Sequence, residues 1–570
     1  MLRRQFLIML LCVAMTLLTF GLANATDYYV KAGTAGNDSN AGTAAAPWKT
    51  ITRALSQDTG TWTPVIADGD TIYVLPGTYD TANGETFPLS ILNQITLIGA
   101  GAPVLAKTVD ASSSGKRVFQ VVGIDNVKIA FLEICNGTAN AIAPGNKGGG
   151  IYIDGCMDIE VADCEFHNNY ASNSGGAIWV GRSSGKLHQN VIWENDADDN
   201  CGGGIYIWAP TNEDCSPQTG SNSPLVVRDN CLYDNTCGDS GAGVYFKSDD
   251  TQYYYADCQG YGGGDGTWFF NNLVFENAAG SDDAGGLQIG VDDDGRCAIV
   301  TVDNNTIAHN TYYGLYAEDH CCTDGKNNII WGNGPADRDD VGSSEGHILN
   351  IIYSDIYTVA TGAGSDYNTG NGNIDVDPLW TSLGVGGMPC DGYFLMHTSP
   401  CIDTGTGNAN DADKYGEDPS WTNTRFYAET DRLDVNVVDM GHHYKKYGGS
   451  YIELASFSVD ADFNKVVVKW ETATEIDNAG FLVYRCDDEA SGCHKVSDFI
   501  SANGNAAGGA TYSFTDTDVK AGETYYYYLV DIDTDGTWTA HGPTVATLPI
   551  RLDLAEPVRG LLVNQKPDAR

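Results

Sequence analysis

The hexapeptide Gly-Gly-Gly-Ile-Tyr-Ile stands at residues 148–153 and again at 202–207, with the near-copy Gly-Gly-Ala-Ile-Trp-Val at 175–180. Aligned on the apolar residue after each glycine cluster, Ile151, Ile178, Ile205, Val244, Leu287 and Leu315 follow one another at steps of 27, 27, 39, 43 and 28. A period in this range is the mark of a solenoid, in which each repeat buries its apolar face only against its neighbours. A second mark runs in phase. Asn-x-apolar-x-x-Asn occurs at 190–195, 230–235, 272–277, 305–310 and 328–333, and residues 164–169 and 350–355 read as the same unit with one asparagine replaced.

Three or four apolar residues between asparagines are too few for a helix, and asparagine tolerates the left-handed backbone of a sharp corner. The expectation is a coil of short strands joined by bends, stacked so that like strands form parallel sheets. Corner asparagines would then bond along the axis. Glycines before each strand would let neighbouring coils approach closely. The unequal steps become loops let out from one corner, chiefly 208–224, 247–265 and 291–297. Nine or ten coils at ~4.8 Å each would make a rod about 45 Å long.

The ends of the chain read differently. Arg3-Arg4, an apolar run from Phe6 to Leu22 and Ala23-Asn24-Ala25 have the order of a secretory signal peptide, residues 1–25, and imply a secreted or cell-surface protein. Removing that segment changes the formal charge from −44 to −46. Such acidity disfavours nucleic acid and anionic membranes, and admits calcium or a neutral or cationic partner. No later stretch has the ~20 apolar residues of a membrane span. Fifteen cysteines outside the leader imply several disulfides and at least one unpaired thiol. Cys486 and Cys493 are the best local pair, and the vicinal Cys321-Cys322 cannot be assigned by reading.

On these repeats the chain resembles right-handed parallel β-helix proteins of the pectate-lyase-like superfamily. The stretch 28–55 followed by 69–79 is similar to their N-terminal cap and first coil, with Ile51, Ala54 and Leu55 on one face of a short capping helix. Residues 374–380, 398–405 and 437–444 are similar to the closing module of bacterial β-helix surface proteins, whose acidic loop would be Asp411-Ala412-Asp413. The glycine and asparagine marks are also similar to the repeats of polymorphic outer-membrane proteins. From Tyr451, alternating strands such as 466–470, 480–486 and 524–536 resemble a fibronectin type III-like module with Trp470 in its core. The expected organisation is all-β: a parallel β-helix over 26–447, a small β-sandwich over 451–548, and a tail over 549–570.

Alternation along each strand places Tyr152, Trp179, Tyr206, Tyr245, Gln288 and Tyr316 on the outer face, one above another. Five of these six are aromatic. Rings about 5 Å apart suit the apolar faces of sugars, so Tyr152, Trp179, Tyr206, Tyr245 and Tyr316 are the candidate contact for a polysaccharide or surface glycan. Rings also stabilise parallel sheets merely by touching, which is the structural alternative. Asp249, Asp250, Asp292, Asp293 and Asp294 follow the same strand and are candidate calcium ligands, although no defined calcium-loop spacing is present. The resemblance implies a calcium-dependent polysaccharide lyase, with Lys247 or Arg296 taking the α-proton, and a glycoside hydrolase is a second enzyme class. A passive spacer is the third alternative. His167 and His309 read as equivalent repeat positions, His188 and His320 do not, and no zinc spacing emerges from the sequence.

Overall fold

The structure is a computed structural model. It describes residues 25–57, 64–100, 107–141, 145–209, 225–248, 267–280, 283–290, 299–318, 322–335, 340–343, 348–357 and 372–380, short stretches between 390 and 442, and most of 451–549. The chain divides into two compact units, Met1–Gly448 and Gly449–Arg570. No helix among the described residues is long and apolar enough to cross a membrane.

The first unit is a parallel β-helix. One coil runs through Ile151–Asp154, Ile159–Ala162, Glu165–His167 and Tyr170–Ala171 before Ile178–Gly181 begins the next. These strands belong to four parallel sheets, here called 4, 1, 2 and 3 in that order. Among the described residues sheet 1 has eleven strands, sheet 2 ten, sheet 3 five and sheet 4 nine. Ten spacings along sheet 1 span about 48 Å. The six apolar residues that define the repeat pair in register from coil to coil, and each is fully buried. At the N-terminal end Ile51–Ala54 is a helical turn whose Ile51 and Ala54, with Leu55 after it, are buried in the same core.

The glycines close the coil at two scales. Gly202 takes a left-handed φ of +71°, which a side chain rarely adopts. Gly204 lies so near the next coil that a Cβ would sit 2.6 Å from the carbonyl oxygen of Gly243. The recurrence of the hexapeptide therefore reflects a corner where each coil touches the backbone of the next.

The repeated asparagines bond along the axis as expected, but they are not the residues that take the left-handed backbone. The left-handed residue at each corner is the one before the repeated asparagine: Gln189 (φ 56°), Glu194 (φ 51°), Asp229 (φ 54°), Asp234 (φ 51°), Asn271 (φ 55°) and Asn304 (φ 56°). The repeated asparagines are buried and form two ladders. In one, Asn190 Nδ2 donates to Asn230 Oδ1, Asn230 to Asn272, Asn272 to Asn305 and Asn305 to Asn328, at 3.0–3.1 Å. In the other, Asn169, Asn195, Asn235, Asn277, Asn310 and Asn333 are linked in the same way at 2.9–3.0 Å. Each side chain thus satisfies backbone groups at a corner where no sheet partner reaches them.

Residues 350–355 are not the repeat unit that their letters suggest. Ile348–Ile352 is a strand of sheet 1 that pairs with Cys322–Lys326, so Asn350 lies opposite Asp324. The ladder place after Asn328 falls to Ser354, whose Oγ accepts the Asn328 N–H at 3.0 Å.

The second unit is antiparallel: Tyr451–Asp462, Lys465–Ile476 and Thr511–Asp516 form one sheet, and Asn478–Cys486, Thr524–Asp533 and Trp538–Thr547 form the body of the other. Trp470 is buried at its centre and stacks on Tyr512 at 5.3 Å. Cys486 is disulfide-bonded, and its expected partner Cys493 lies outside the described residues.

Candidate functional site

Sheet 4 stacks the aromatic residues as expected but does not leave them open. Tyr152 and Trp179 lie 4.7 Å apart, Trp179 and Tyr206 6.3 Å, and Tyr206 and Tyr245 5.3 Å, all stacked with nearly parallel planes. Their exposures are 5%, 1%, 8% and 6%. An exposed strip is therefore the wrong picture. The rings lie along the strand instead of standing off it: a Cβ at Gly181 would meet Trp179 Cζ3 at 2.6 Å, and one at Gly290 would meet the Tyr245 ring. Cations then cover faces that remain, with the Arg117 guanidinium 4.6 Å from the Tyr152 ring and Lys147 Nζ 4.7 Å from that of Trp179. Gln288 interrupts the stack and bonds Glu318 at 2.9 Å. Tyr316 beyond it is half-buried and tilts against Tyr313.

The next outward column carries polar character to the surface. Asp154, Gly181, Trp208 and Lys247 pair in register, two residues on from the stacked rings. Trp208 and Lys247 are half-buried, and Arg182 beside them is exposed. Arg182 grips Asp154 through two hydrogen bonds of 2.9 and 2.5 Å and holds its guanidinium 5.5 Å from the Trp208 ring. Lys147 Nζ lies 5.8 Å from the same ring. Burial lowers the Lys147 pKa below the usual lysine range, with Asp154 opposing the shift and Lys247 adding to it. Burial likewise brings Arg117 down to about 10. In a chain with 31 Lys and Arg against 75 Asp and Glu, four cations converge on this one strip. The candidate calcium ligands Asp249, Asp250, Asp292, Asp293 and Asp294, and also Arg296, lie outside the described residues.

Sheet 2 presents a second outer column that the sequence reading did not find. Cys135, His167, Trp193, Tyr233 and Phe275 pair in register. His167 stacks on Trp193 at 4.5 Å, Trp193 on Tyr233 at 6.1 Å and Tyr233 on Phe275 at 5.1 Å. Beyond it Tyr393 tilts against Phe275, and the Cys231–Cys390 disulfide ties the same face to the closing segment. His167 and His309 are not equivalent. His167 lies in the strand, whereas His309 is the left-handed corner residue (φ 54°), and Ala308 would be the match to His167.

At the N-terminal end of this column the groups are polar. His167 Nε2 meets Glu133 Oε1 at 2.9 Å, and Thr108 Oγ1 donates to Glu133 Oε2 at 2.5 Å. The His167 contact holds the Glu133 carboxyl below the usual range. Glu165, in register with Glu133 on the next coil, is pushed up to about 7 by burial and by the Glu133 charge. Burial, with Asp110 and Glu133, pushes the Cys135 thiol up to about 12. Besides Cys135, the described residues include free buried thiols at Cys156, Cys164, Cys201, Cys237 and Cys401, more than the sequence led one to expect. The signal available in the sequence was a pair of similar tetrapeptides, Glu-Ile-Cys-Asn at 133–136 and Glu-Phe-His-Asn at 165–168, which only the register places side by side.

A family model described as a protein of unknown function (DUF1565) matches residues 34–245. No curated protein matches the chain. Among solved structures, a β-1,2-glucanase from Parabacteroides distasonis aligns at 17% identity over 20% of this chain and 15% of the glucanase, with a TM-score of 0.15. The alignment thus spans a small part of that enzyme, and likeness at this level carries no argument about fold or activity.

Proposed function

We propose that this is an exported protein whose β-helix binds an acidic polysaccharide along the outer edge of sheet 4. The observation that carries the reading is the convergence of Lys147, Arg182 and Lys247 around the half-buried Trp208. A sugar ring offers an apolar face to an indole, and its carboxylate or sulfate offers a charge to ammonium and guanidinium groups. The buried rings beneath act as a rigid foundation and not as the contact. The leader-like first 25 residues support export, and the C-terminal unit is taken as a fibronectin type III-like spacer that presents the β-helix.

The test is affinity measurement on the intact protein against uronate-rich, sulfated and neutral polymers. Binding to acidic polymers should weaken with salt and fall at least tenfold in Lys147→Ala and in Trp208→Ala, with the far-ultraviolet circular dichroism and cooperative unfolding of the protein retained. A folded protein that binds no acidic polymer refutes the reading. Release of unsaturated oligosaccharides in the presence of calcium would replace it with the lyase alternative, in which Lys247 takes the α-proton.

A further inference from the structure

We propose that Glu133, Cys135 and His167 form a binding site for a divalent cation of the zinc class on the outer face of sheet 2, with a fourth coordination position open to solvent. One donor atom from each, a carboxylate oxygen, Sγ and a ring nitrogen, lie within 4.8 Å of one another. Zinc bonds of about 2.0–2.3 Å to such atoms make tetrahedral edges of roughly 3.3–3.8 Å. The donors are thus already gathered to within about 1–1.5 Å of a working geometry. An ion would enter between His167 Nε2 and Glu133 Oε1 and draw the sulfur up from below.

The three side chains are held by partners that suit this use. Trp193 packs flat on the imidazole, so the ring cannot turn away from the site. Thr108 fixes the far oxygen of Glu133. The Asn168 amide lies 2.9 Å from His167 Nδ1, and half a turn of that amide offers Oδ1 to an Nδ1–H, the outer contact that a metal-bound histidine makes. The Asn136 amide reaches both Cys135 Sγ and Asp110 Oδ1. Both asparagines sit in the left-handed region, Asn136 at φ 57° and Asn168 at φ 54°, so one repeated corner supplies the outer contacts of two ligands.

Charge and access agree with a cation. One carboxylate and one thiolate neutralise a doubly charged ion, and the thiol proton leaves to solvent when sulfur binds. Glu133 and His167 keep 22% and 15% of their side-chain surface, while Cys135 is covered, which leaves a way in from solvent and a soft donor at the floor. The mixed oxygen, nitrogen and sulfur set favours zinc over magnesium or calcium, which take oxygen alone. The site lies on a different sheet from the glycan contact and stands independently of it.

Cobalt(II) titration of the folded full-length protein, with its disulfides intact, tests this directly. One equivalent should bind with a thiolate-to-cobalt absorption band in the near ultraviolet and visible bands of tetrahedral intensity, and zinc should displace it. Cys135→Ser should abolish the near-ultraviolet band, and His167→Gln and Glu133→Gln should each weaken binding at least tenfold. Zinc should raise the unfolding temperature of the wild type and not that of the folded variants, which separates lost binding from lost structure. Absence of stoichiometric binding, or a charge-transfer band that survives in Cys135→Ser, overturns the proposal.

Discussion

Replacing Asn235 by alanine removes four buried hydrogen bonds at once. Its Oδ1 accepts the backbone N–H of Asn195 at 3.2 Å and the Asn195 side chain at 2.9 Å, and its Nδ2 donates to Ile192 O and to Asn277 Oδ1, both at 2.9 Å. Four bonds at about 1 kcal/mol net each, with about 1–3 kcal/mol for a donor left unpaired in the interior, make the expected loss about 5–7 kcal/mol. The neighbouring Asp234 is exposed and left-handed, so Asp234→Gly relieves backbone strain and should be neutral or stabilising by up to about 1 kcal/mol. Equilibrium denaturation of the intact protein measures both, and hydrogen exchange at the Asn195 amide reports the opened corner. The decisive variant is Asn235→Gly. If asparagine serves the ladder, glycine should be no better than alanine. Recovery of most of the lost stability by glycine would show that the residue serves a left-handed corner, and the ladder argument would fail.

Asp355 is fully buried, accepts a hydrogen bond from Cys401 Sγ at 3.0 Å, and is pushed up to about 7 by burial with help from Asp375 and Asp377. A raised carboxyl pKa adds stability below the ordinary carboxylate range and loses it as pH rises through about 7. Asp355→Asn should therefore flatten the pH profile of unfolding between pH 4 and 7, a difference on the order of 3–4 kcal/mol, and a profile parallel to wild type would refute the assignment. Gly181→Ala forces a methyl group into the Trp179 ring and should cost about 1–3 kcal/mol, with altered near-ultraviolet circular dichroism; an unchanged spectrum would mean that the ring does not lie over the strand. In the second unit, Arg485 Nη1 bonds Asp516 at 2.7 Å, and Tyr527 donates to the same carboxylate at 3.0 Å. Arg485→Ala should destabilise that unit by about 3–5 kcal/mol by stranding the buried charge, visible as an earlier second transition in calorimetry.

The repeats were legible because a solenoid converts sequence period into spatial neighbourhood with little else to decide. Ile151, Ile178 and Ile205 needed only the steps between them. What one sequence did not show was the division of labour within Asn-Asn pairs such as Asn271-Asn272 and Asn304-Asn305. Left-handed conformation and ladder bonding both favour asparagine, and only backbone angles separate them. The strip of sheet 4 was correctly placed and wrongly exposed, because alternation gives the face of a side chain but not the direction in which a ring lies down. At residues 350–355 a matching pattern of letters fell one strand early, a slip that a short repeat readily permits. The Glu133, Cys135 and His167 group was hidden because its members come from two coils, and neither tetrapeptide is notable alone.

The coil treats its corners unequally. From Ile159–Ala162 onward the bends from sheet 1 to sheet 2 and from sheet 2 to sheet 3 hold two residues each, and most of them are stitched by asparagine. The bend from sheet 4 to sheet 1 holds four residues after Ile151–Asp154, yet fifteen separate Ile205–Ala209 from Leu225–Arg228. The widest variation in length thereby falls at an edge that bears no asparagine ladder, so a lineage could rewrite what the protein displays there while the spine that carries it goes untouched.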